Sequence, residues 1–376
     1  MGLTAEELAA QLRVTPQQIA QWEEGKSYPP FTRAQQLAKA LRIPFGYLFL
    51  SAPPKLQPPI PDLRSVNDQT RRPSPNFLDL LNDIVVKHDW FVEYAREARL
   101  ERPDFVGRYN IHTPAAQVVE DIRSVIAPDE LLQKAKSWSD YLRLLVERVE
   151  DVGIIVMRSG VVRGNPHRPL SVEEFRGFVI TDSRAPLIFL NAKDAQAAQI
   201  FTIAHELVHI WIGESGISNP DPATLERAEP SRKSSVERFC NEAATELLVP
   251  GRNFDDTWRT GQRSASDKAE YAARKFRVSV PVILRRAYER NLIAREQFFL
   301  LLQAHQDKVE AIEKKKEEEE ESGGNFYNTF FARNSHKLSH AILTTVRGGG
   351  LSKLDAARLL NVKTHTIPKL AERALP

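Results

Sequence analysis

The sequence predicts a mainly helical α+β protein with a small β-sheet. Apolar residues recur at helical spacing over much of the chain, as in FLDLLNDIVV (77–86) and YLRLLVERVE (141–150). Three short segments rich in Val, Ile and Phe are separated by turn residues and predict strands at 152–158, 175–182 and 186–191. Helical spacing then resumes and continues to the charged segment after residue 305. Both ends of the chain are predicted to be helical.

Composition places the chain among folded, soluble proteins. Its 376 residues include 27% charged and 8% aromatic residues, and Lys+Arg exceed Asp+Glu by only 3. No apolar run approaches the about 18–20 residues of a membrane helix, and the N-terminus has no signal-peptide core. The single cysteine, Cys240, excludes an intramolecular disulfide framework and is typical of a reducing compartment. We therefore expect a cytoplasmic protein without a membrane partner.

Shifts in composition divide the chain into five parts. Proline is concentrated in the second part, which favours an extended tether, and a Lys/Glu run followed by Ser-Gly-Gly marks the fourth. The last part holds eight Lys+Arg against two acidic residues. The predicted parts are a helical module at 1–52, a linker at 53–75, a central domain at 76–306, a charged helix end with a glycine hinge at 307–324, and a basic helical tail at 325–376.

One local pattern, Ala-x2-Leu/Phe-x-Val-x4-Ile, occurs three times, beginning at Ala9, Ala273 and Ala357. In each copy the small residue lets two helices approach, the Val lies in the turn, and the Ile anchors the second helix, as in a helix-turn-helix. The central copy defines a helix-turn-helix-like segment at 268–290. Any two packed helices satisfy this pattern. For the central and C-terminal copies, both a DNA-binding and a purely structural interpretation therefore stay open.

The strongest chemical signal is an HExxH motif, His205-Glu206-Leu207-Val208-His209, within an apolar helical run at 198–213. Residues i and i+4 share a helix face, so both imidazoles can bind one zinc ion, Zn2+. Glu206 then lies beside the metal, where it can polarise water and pass a proton to a leaving amine. Two histidines and a glutamate would otherwise be a costly cluster in apolar surroundings. The motif therefore predicts a catalytic zinc centre.

A catalytic zinc needs a third protein ligand and one open position. The segment SSVERFCNEAATELLVP (234–250) predicts a helix, and on local grounds Glu237, Glu242 and Glu246 are all candidate ligands. Cys240 lies three residues after Glu237 and should share its helix face, so we expect the thiol close to the metal. It is either a small buried residue or a redox modulator whose thiolate competes for the open coordination site.

Together the two motifs resemble those of the ImmA/IrrE family of zinc metallopeptidases. HELVH is followed, 28 residues after its second histidine, by E-x3-N-x2-A-x-E-L-L-V-P, and the segments PLIFLN and FTIAHE are also similar to the family's. The resemblance covers roughly 150–250. It implies a zincin-like metallopeptidase core, with Glu237 as the third ligand and Glu206 as the general base. It also implies that the strand at 186–191 borders the cleft in which a substrate peptide adds as a further strand.

The N-terminal segment LTAEEL…GYLFL (3–50) resembles the XRE/Cro-type helix-turn-helix of phage repressors. Thr4 and Glu7 form a capping-box pattern at the start of one helix, and Thr15-Pro16 begins the next. The fold normally has another helix before this segment, so we expect its first helix to be missing or supplied from elsewhere.

This second resemblance implies DNA binding. Glutamine can pair bidentately with adenine, and basic side chains near the recognition helix commonly hold phosphates. The candidate DNA-binding residues are Gln17, Gln18, Gln21, Lys26 and Arg33.

The two resemblances imply a regulatory zinc-dependent endopeptidase fused to a DNA-binding module, which cleaves a helix-turn-helix repressor to control stress or mobile-element genes. The alternative is a non-catalytic antitoxin or transcriptional regulator that binds DNA and a partner toxin. An intact Glu206 favours catalysis, because a scaffold needs no such carboxylate. A homodimer stays open, as does the tail's partner, which is either nucleic acid or protein. The tail's candidate basic residues are Lys353, Arg358, Lys363, His365 and Lys369.

Overall fold

The computed structural model describes residues 4–41, 45–50, 73–220, 232–260, 264–316 and 326–374. The chain divides into two compact units, one of residues 1–59 with 70–82 and the other of residues 60–69 with 83–376. Most of the predicted linker at 53–75, and the predicted hinge from residue 317 onward, lie outside the described residues. None of the helices in the described ranges has the length and apolar character needed to cross a membrane.

The first unit contains a helix-turn-helix. Its elements are α1 (Ala5–Leu12), α2 (Pro16–Glu23), α3 (Phe31–Leu41) and a 3-10 turn (Phe45–Phe49). Capping boxes at Thr4 and Thr15 begin the first two helices, as the sequence predicts. Ile19 of α2 packs against Leu12 of α1, and Trp22 covers the same small core. The predicted N-terminal module is therefore confirmed.

The second unit is helical around one small sheet, and the division between the units falls within its first helix. The elements that lead to and include the sheet are α4 (Pro75–Glu97), α5 (Ala115–Ile126), α6 (Pro128–Lys134), α7 (Trp138–Asp151), β1 (Ile155–Ser159), β2 (Gly177–Ile180), β3 (Leu187–Asn191), α8 (Gln196–Ile212) and β4 (Gly216–Ser218). Those that follow are α9 (Arg232–Leu248), α10 (Gly251–Arg259), α11 (Ala265–Phe276), α12 (Val280–Glu289), α13 (Arg295–Lys316), α14 (Phe326–Asn334), α15 (His336–Arg347), α16 (Lys353–Leu359) and α17 (Ile367–Ala374).

The sheet has the strand order β1-β3-β2-β4. Strand β3 pairs parallel with β1 and antiparallel with β2, and β4 pairs antiparallel with β2. The three predicted strands are confirmed, and so is the mainly helical α+β class. Both edges of β3 are already paired, so a substrate strand has no free edge of β3 to pair with. That the strand at 186–191 borders the substrate cleft stays a prediction. Strand β4 forms one edge of the sheet in the described residues.

Helix α8 runs through the core, and every residue from Gln199 to Ile212 is buried. It ends at Gly213, whose φ of 72° is a left-handed conformation that glycine adopts without strain. A Cβ at this position would also lie 3.1 Å from the Cα of Gly107. The tight turn returns the chain directly into β4, which places that strand beside α8.

The C-terminal helices α14–α17 belong to the second unit, and α14 packs against β1. Lys87 of α4 is 2% exposed, and its Nζ lies 2.7 Å from an Asp83 carboxylate oxygen and 3.0 Å from Oδ1 of Asn334. The Asn361 amide donates to both oxygens of Asp83 at 2.9 Å. Because Asn361 lies in the turn between α16 and α17, one buried ion pair ties that turn to α4.

Candidate metal centre

Helices α8 and α9 bring three potential ligands together. The Nε2 atoms of His205 and His209 are 3.1 Å apart. The two carboxylate oxygens of Glu237 lie 3.3 Å from Nε2 of His205 and 3.2 Å from Nε2 of His209. Ligands about 2.0–2.1 Å from a tetrahedral zinc ion are separated by about 3.3–3.4 Å. The spacing of these three side chains therefore fits one zinc ion.

The other two candidate third ligands lie elsewhere. Glu242 is exposed on α9. Glu246 forms an ion pair with the buried guanidinium of Arg286 and accepts a hydrogen bond from the Gly251 amide. Of the three glutamates that the sequence leaves open, only Glu237 contacts the histidines.

Neighbouring groups hold His209 and Glu237 in the protonation states that a metal ligand needs. The His209 Nδ1 lies 3.1 Å from the Glu214 carbonyl oxygen, which can only accept, so Nδ1 carries the proton and Nε2 is available to an ion. Burial opposes ionisation of Glu237, but the nearby rings of His205 and His209 outweigh it and lower the pKa of this carboxyl to about 2. Glu237 is therefore an anion, as a metal ligand must be.

Glu206 lies near enough to His205, His209 and Glu237 for their charges to affect its carboxyl group. Its side chain is fully buried, and the Ser218 hydroxyl of β4 donates a hydrogen bond to Oε1. Its Oε2 has no hydrogen-bond partner among the described residues. Burial raises the pKa of Glu206, partly opposed by the two histidines. One oxygen is thus held in place, while the other makes no hydrogen bond within the described chain.

Two residues next to Glu206, Gly177 and Ser218, are not predicted from the sequence. A Cβ at Gly177 in β2 would lie 2.9 Å from Oε1 of Glu206 and 2.6 Å from Cγ2 of Thr202, so only glycine fits there. Ser218 lies in a three-residue strand whose pattern, Gly-Ile-Ser, has too few positions to show the alternation of a strand. The one local signal is Gly213, which marks a helix end immediately before it.

Cys240 also faces the centre, as its spacing from Glu237 predicts. Its sulfur and one ring nitrogen from each of His205 and His209 all lie within 4.8 Å of one another. The thiol is fully buried, and burial raises its pKa. The histidines therefore have two neighbouring donors on α9, the carboxylate of Glu237 and the sulfur of Cys240.

The centre is largely buried. His205, Glu206, His209 and Cys240 are each 0% exposed, whereas the side chain of Glu237 is 13% exposed.

The candidate DNA contacts of the first unit separate into two groups. Gln17 and Gln21 are exposed on α2. Gln18 is exposed too, but its side-chain oxygen accepts a hydrogen bond from the Thr15 amide and completes the capping box. Arg33 donates to the Leu12 carbonyl oxygen at 2.5 Å, and Lys26 forms an ion pair with the carboxylate of Glu24. Gln17 and Gln21 are therefore the two exposed glutamines that take no part in a capping box, and base contact by them stays a prediction.

The fold and the centre define a metallopeptidase-like domain on a chain that also carries a helix-turn-helix module. Residues 167–288 match the family model of the IrrE N-terminal-like domain, Peptidase_M78, and residues 1–48 match that of the helix-turn-helix family HTH_3. The two matches correspond to an ImmA/IrrE-type domain fused to an XRE-type helix-turn-helix, as the resemblances imply. Comparison with curated proteins gives no match.

Proposed function

We propose that the chain is a regulatory zinc endopeptidase whose N-terminal module binds DNA, and that it cleaves a helix-turn-helix repressor to control stress or mobile-element genes. One observation carries the proposal. Two histidines and Glu237 have the spacing of zinc ligands, while a separate carboxylate, Glu206, lies beside them with one oxygen free of hydrogen bonds in the described chain. A structural zinc site has no need of that second carboxylate. DNA binding places this activity in the cytoplasm.

Different residues bind the metal, transfer the proton and orient the base during peptide hydrolysis. Zinc held by His205, His209 and Glu237 supplies Lewis-acid activation when it is bound. The Oε2 atom of Glu206 accepts a proton from the attacking water and returns it to the leaving amine. The hydrogen bond from Ser218 fixes the orientation of the Glu206 carboxylate. The raised pKa of Glu206 makes its carboxylate a stronger base than an exposed glutamate.

The full burial of Glu206 supports a regulated enzyme rather than a constitutive one. An always-open peptidase that removes a repressor would abolish control. In the proposed cycle, a signal opens the chain around Glu206, the repressor enters, and its cleavage relieves repression. Cys240 is proposed as a redox modulator, because its sulfur lies beside both histidines and can compete for the open coordination position.

The test is a cleavage assay with Glu206→Gln. The zinc-loaded chain and the variant are each incubated with a panel of helix-turn-helix repressors, beginning with those encoded nearest to its gene. The unaltered chain should give two fragments whose masses sum to that of the substrate plus one water. The variant should lose at least about a hundredfold in rate, because an amide cannot accept the proton.

Glu242→Gln is the matched control, since it makes the same change at an exposed position of α9. Cleavage by Glu206→Gln at the unaltered rate would remove Glu206 from the base role.

The second candidate function is a non-catalytic antitoxin or transcriptional regulator that binds DNA and a partner toxin. The full burial of Glu206 favours it, because a domain that only binds a partner does not use this carboxylate. In this case the zinc-loaded chain cleaves none of the repressors, and Glu206→Gln neutralises a co-expressed toxin as well as the unaltered chain does.

A further inference from the structure

The three copies of the helix-turn-helix pattern share one backbone structure. In each copy the Val amide donates to the carbonyl of the first Ala, and the residue before the Val has a left-handed conformation. The hydrogen bonds are Val14 to Ala9 at 3.0 Å, Val278 to Ala273 at 3.1 Å and Val362 to Ala357 at 3.0 Å. The left-handed residues are Arg13, Arg277 and Asn361, with φ of 53°, 56° and 53°. The shared pattern therefore corresponds to a shared turn.

The central copy uses this turn for packing. Every residue of its second helix, α12, is buried or half-buried, and Ile283 and Leu284 are 0% exposed. The guanidinium of Arg286 is committed to Glu246, and that of Arg285 to Glu289. The burial and ion pairs of α12 favour a structural role for the central copy.

The C-terminal copy is different, because one side of its second helix, α17, is exposed. Aligning the anchoring residues Ile19 and Ile367 places Gln17 opposite His365 and Gln21 opposite Lys369. All four of these outward positions are exposed. The positions that would read bases in the N-terminal module are therefore exposed and carry polar or cationic groups in the C-terminal one.

Charge distinguishes this surface further. Lys363, His365 and Lys369, which we call the C-terminal basic face, are all exposed. Within residues 326–374, neither lysine forms an ion pair with a carboxylate, whereas Arg358 lies 3.5 Å from Asp355. The same segment contains eight Lys+Arg and only two acidic residues. Helix α17 itself carries Lys369 and Arg373 against the exposed Glu372, so most of this excess lies around the helix rather than on it. A positively charged surface of this kind suits the phosphate backbone of DNA.

The basic face is also held rigidly. The turn before α17 is tied to α4 by the Asn361 amide, which donates to both oxygens of Asp83. Ile367 and Leu370 of α17 are 1% and 0% exposed, so the inner side of the helix is packed. A preorganised helix loses little conformational freedom when it enters a groove.

We propose that α16 and α17 form a second DNA-binding helix-turn-helix, in which α17 enters the major groove of double-stranded DNA through the C-terminal basic face. His365 lies toward base edges, while Lys363, before the helix, and Lys369, on it, each contact a phosphate. This inference does not depend on the peptidase activity, and the family matches at 1–48 and 167–288 do not include it.

The test measures the salt dependence of DNA binding by the full chain. The probe is a fluorescein-labelled random-sequence duplex of about 24 base pairs, followed by fluorescence anisotropy between about 50 and 200 mM salt. The test variant is Lys363→Ala/Lys369→Ala. The control is Lys134→Ala/Lys136→Ala, which removes the same charge from two exposed lysines at and just after the end of α6. All four lysines are exposed, so both variants should melt at the temperature of the unaltered chain.

Each phosphate contact adds about 0.9 to the slope of log K against log salt, so two lost contacts lower the slope by about 1.8. A fourfold rise in salt then weakens DNA binding by the test variant about tenfold less than it weakens binding by the unaltered chain. The control variant should retain the original slope. Equal slopes and affinities in both variants would overturn the proposal and leave the basic face to a protein partner. Absence of binding by the unaltered chain at about 50 mM salt would overturn it as well.

Discussion

A buried carboxyl group makes the stability of the second unit depend on pH. Glu150, at the end of α7, is 8% exposed and accepts a hydrogen bond from the hydroxyl of Ser335, just before α15. Burial raises its pKa from 4.5 to about 7, although hydrogen bonds from Ser335 and from backbone amides oppose the shift. The informative perturbation is Glu150→Gln, which keeps the shape and a hydrogen-bond acceptor but removes the ionisation.

The direction in which stability changes with pH follows from the two pKa values of Glu150. Between the ordinary pKa of 4.5 and the folded pKa of about 7, the folded chain binds the proton more tightly than the unfolded chain. The contribution of Glu150 to stability is therefore full below the ordinary value and is lost as pH rises through about 7. With about 1.36 kcal/mol per pKa unit, this contribution falls by about 2.5 kcal/mol between about pH 5 and pH 8.

Urea unfolding at the two pH values measures the effect. The unaltered chain should lose about 2.5 kcal/mol more stability from about pH 5 to pH 8 than Glu150→Gln does. Glu147→Gln is the control on the same helix, since the side chain of Glu147 is 52% exposed, and it should behave like the unaltered chain. If Glu150→Gln and the unaltered chain lose the same stability over this range, the buried carboxyl is not the cause.

Two further predictions concern the site and the DNA. The sulfur of Cys240 lies beside both histidines, and hydrogen peroxide converts a thiol to a sulfenic acid with release of water. Peroxide should therefore lower the zinc content of the unaltered chain but not that of Cys240→Ala. Equal losses of zinc from both chains would exclude the thiol as a modulator. Gln17→Ala/Gln21→Ala should weaken binding to a selected DNA site by about tenfold or more with little change in melting temperature, whereas Gln18→Ala should lower the melting temperature because it removes a capping interaction. Unchanged affinity of the double variant would place base recognition elsewhere.

Much of the site could be predicted because its ligands lie on two regular helices. The i, i+4 spacing of His205 and His209 fixes their common face without any tertiary information. The position of Glu237 needed the family motif, because three glutamates on α9 fit the local argument equally well. Only the packing of α9 against α8 separates Glu237 from Glu246, which turns to Arg286 instead.

The remaining features depend on contacts that sequence periodicity does not encode. The pairing of two short strands, β2 and β4, brings Gly177 and Ser218 next to Glu206. The central position of β3 is known only from the strand order of the sheet. The turn at Asn361 is fixed by Asp83, 278 residues earlier in the chain. The three copies of the helix-turn-helix pattern give the same turn, and only burial favours a structural role for the central one.

The most direct measurement of the central claim is the zinc content of two matched variants. Glu237→Gln and Glu206→Gln make the same change at two carboxylates of one centre. Zinc per chain can be measured by mass spectrometry after dialysis against a competing chelator. If Glu237 is a ligand and Glu206 a base, Glu206→Gln should retain about one zinc ion per chain, as the unaltered chain does, while Glu237→Gln should lose it. Loss of zinc from Glu206→Gln, or its full retention in Glu237→Gln, would contradict the assignment of the centre.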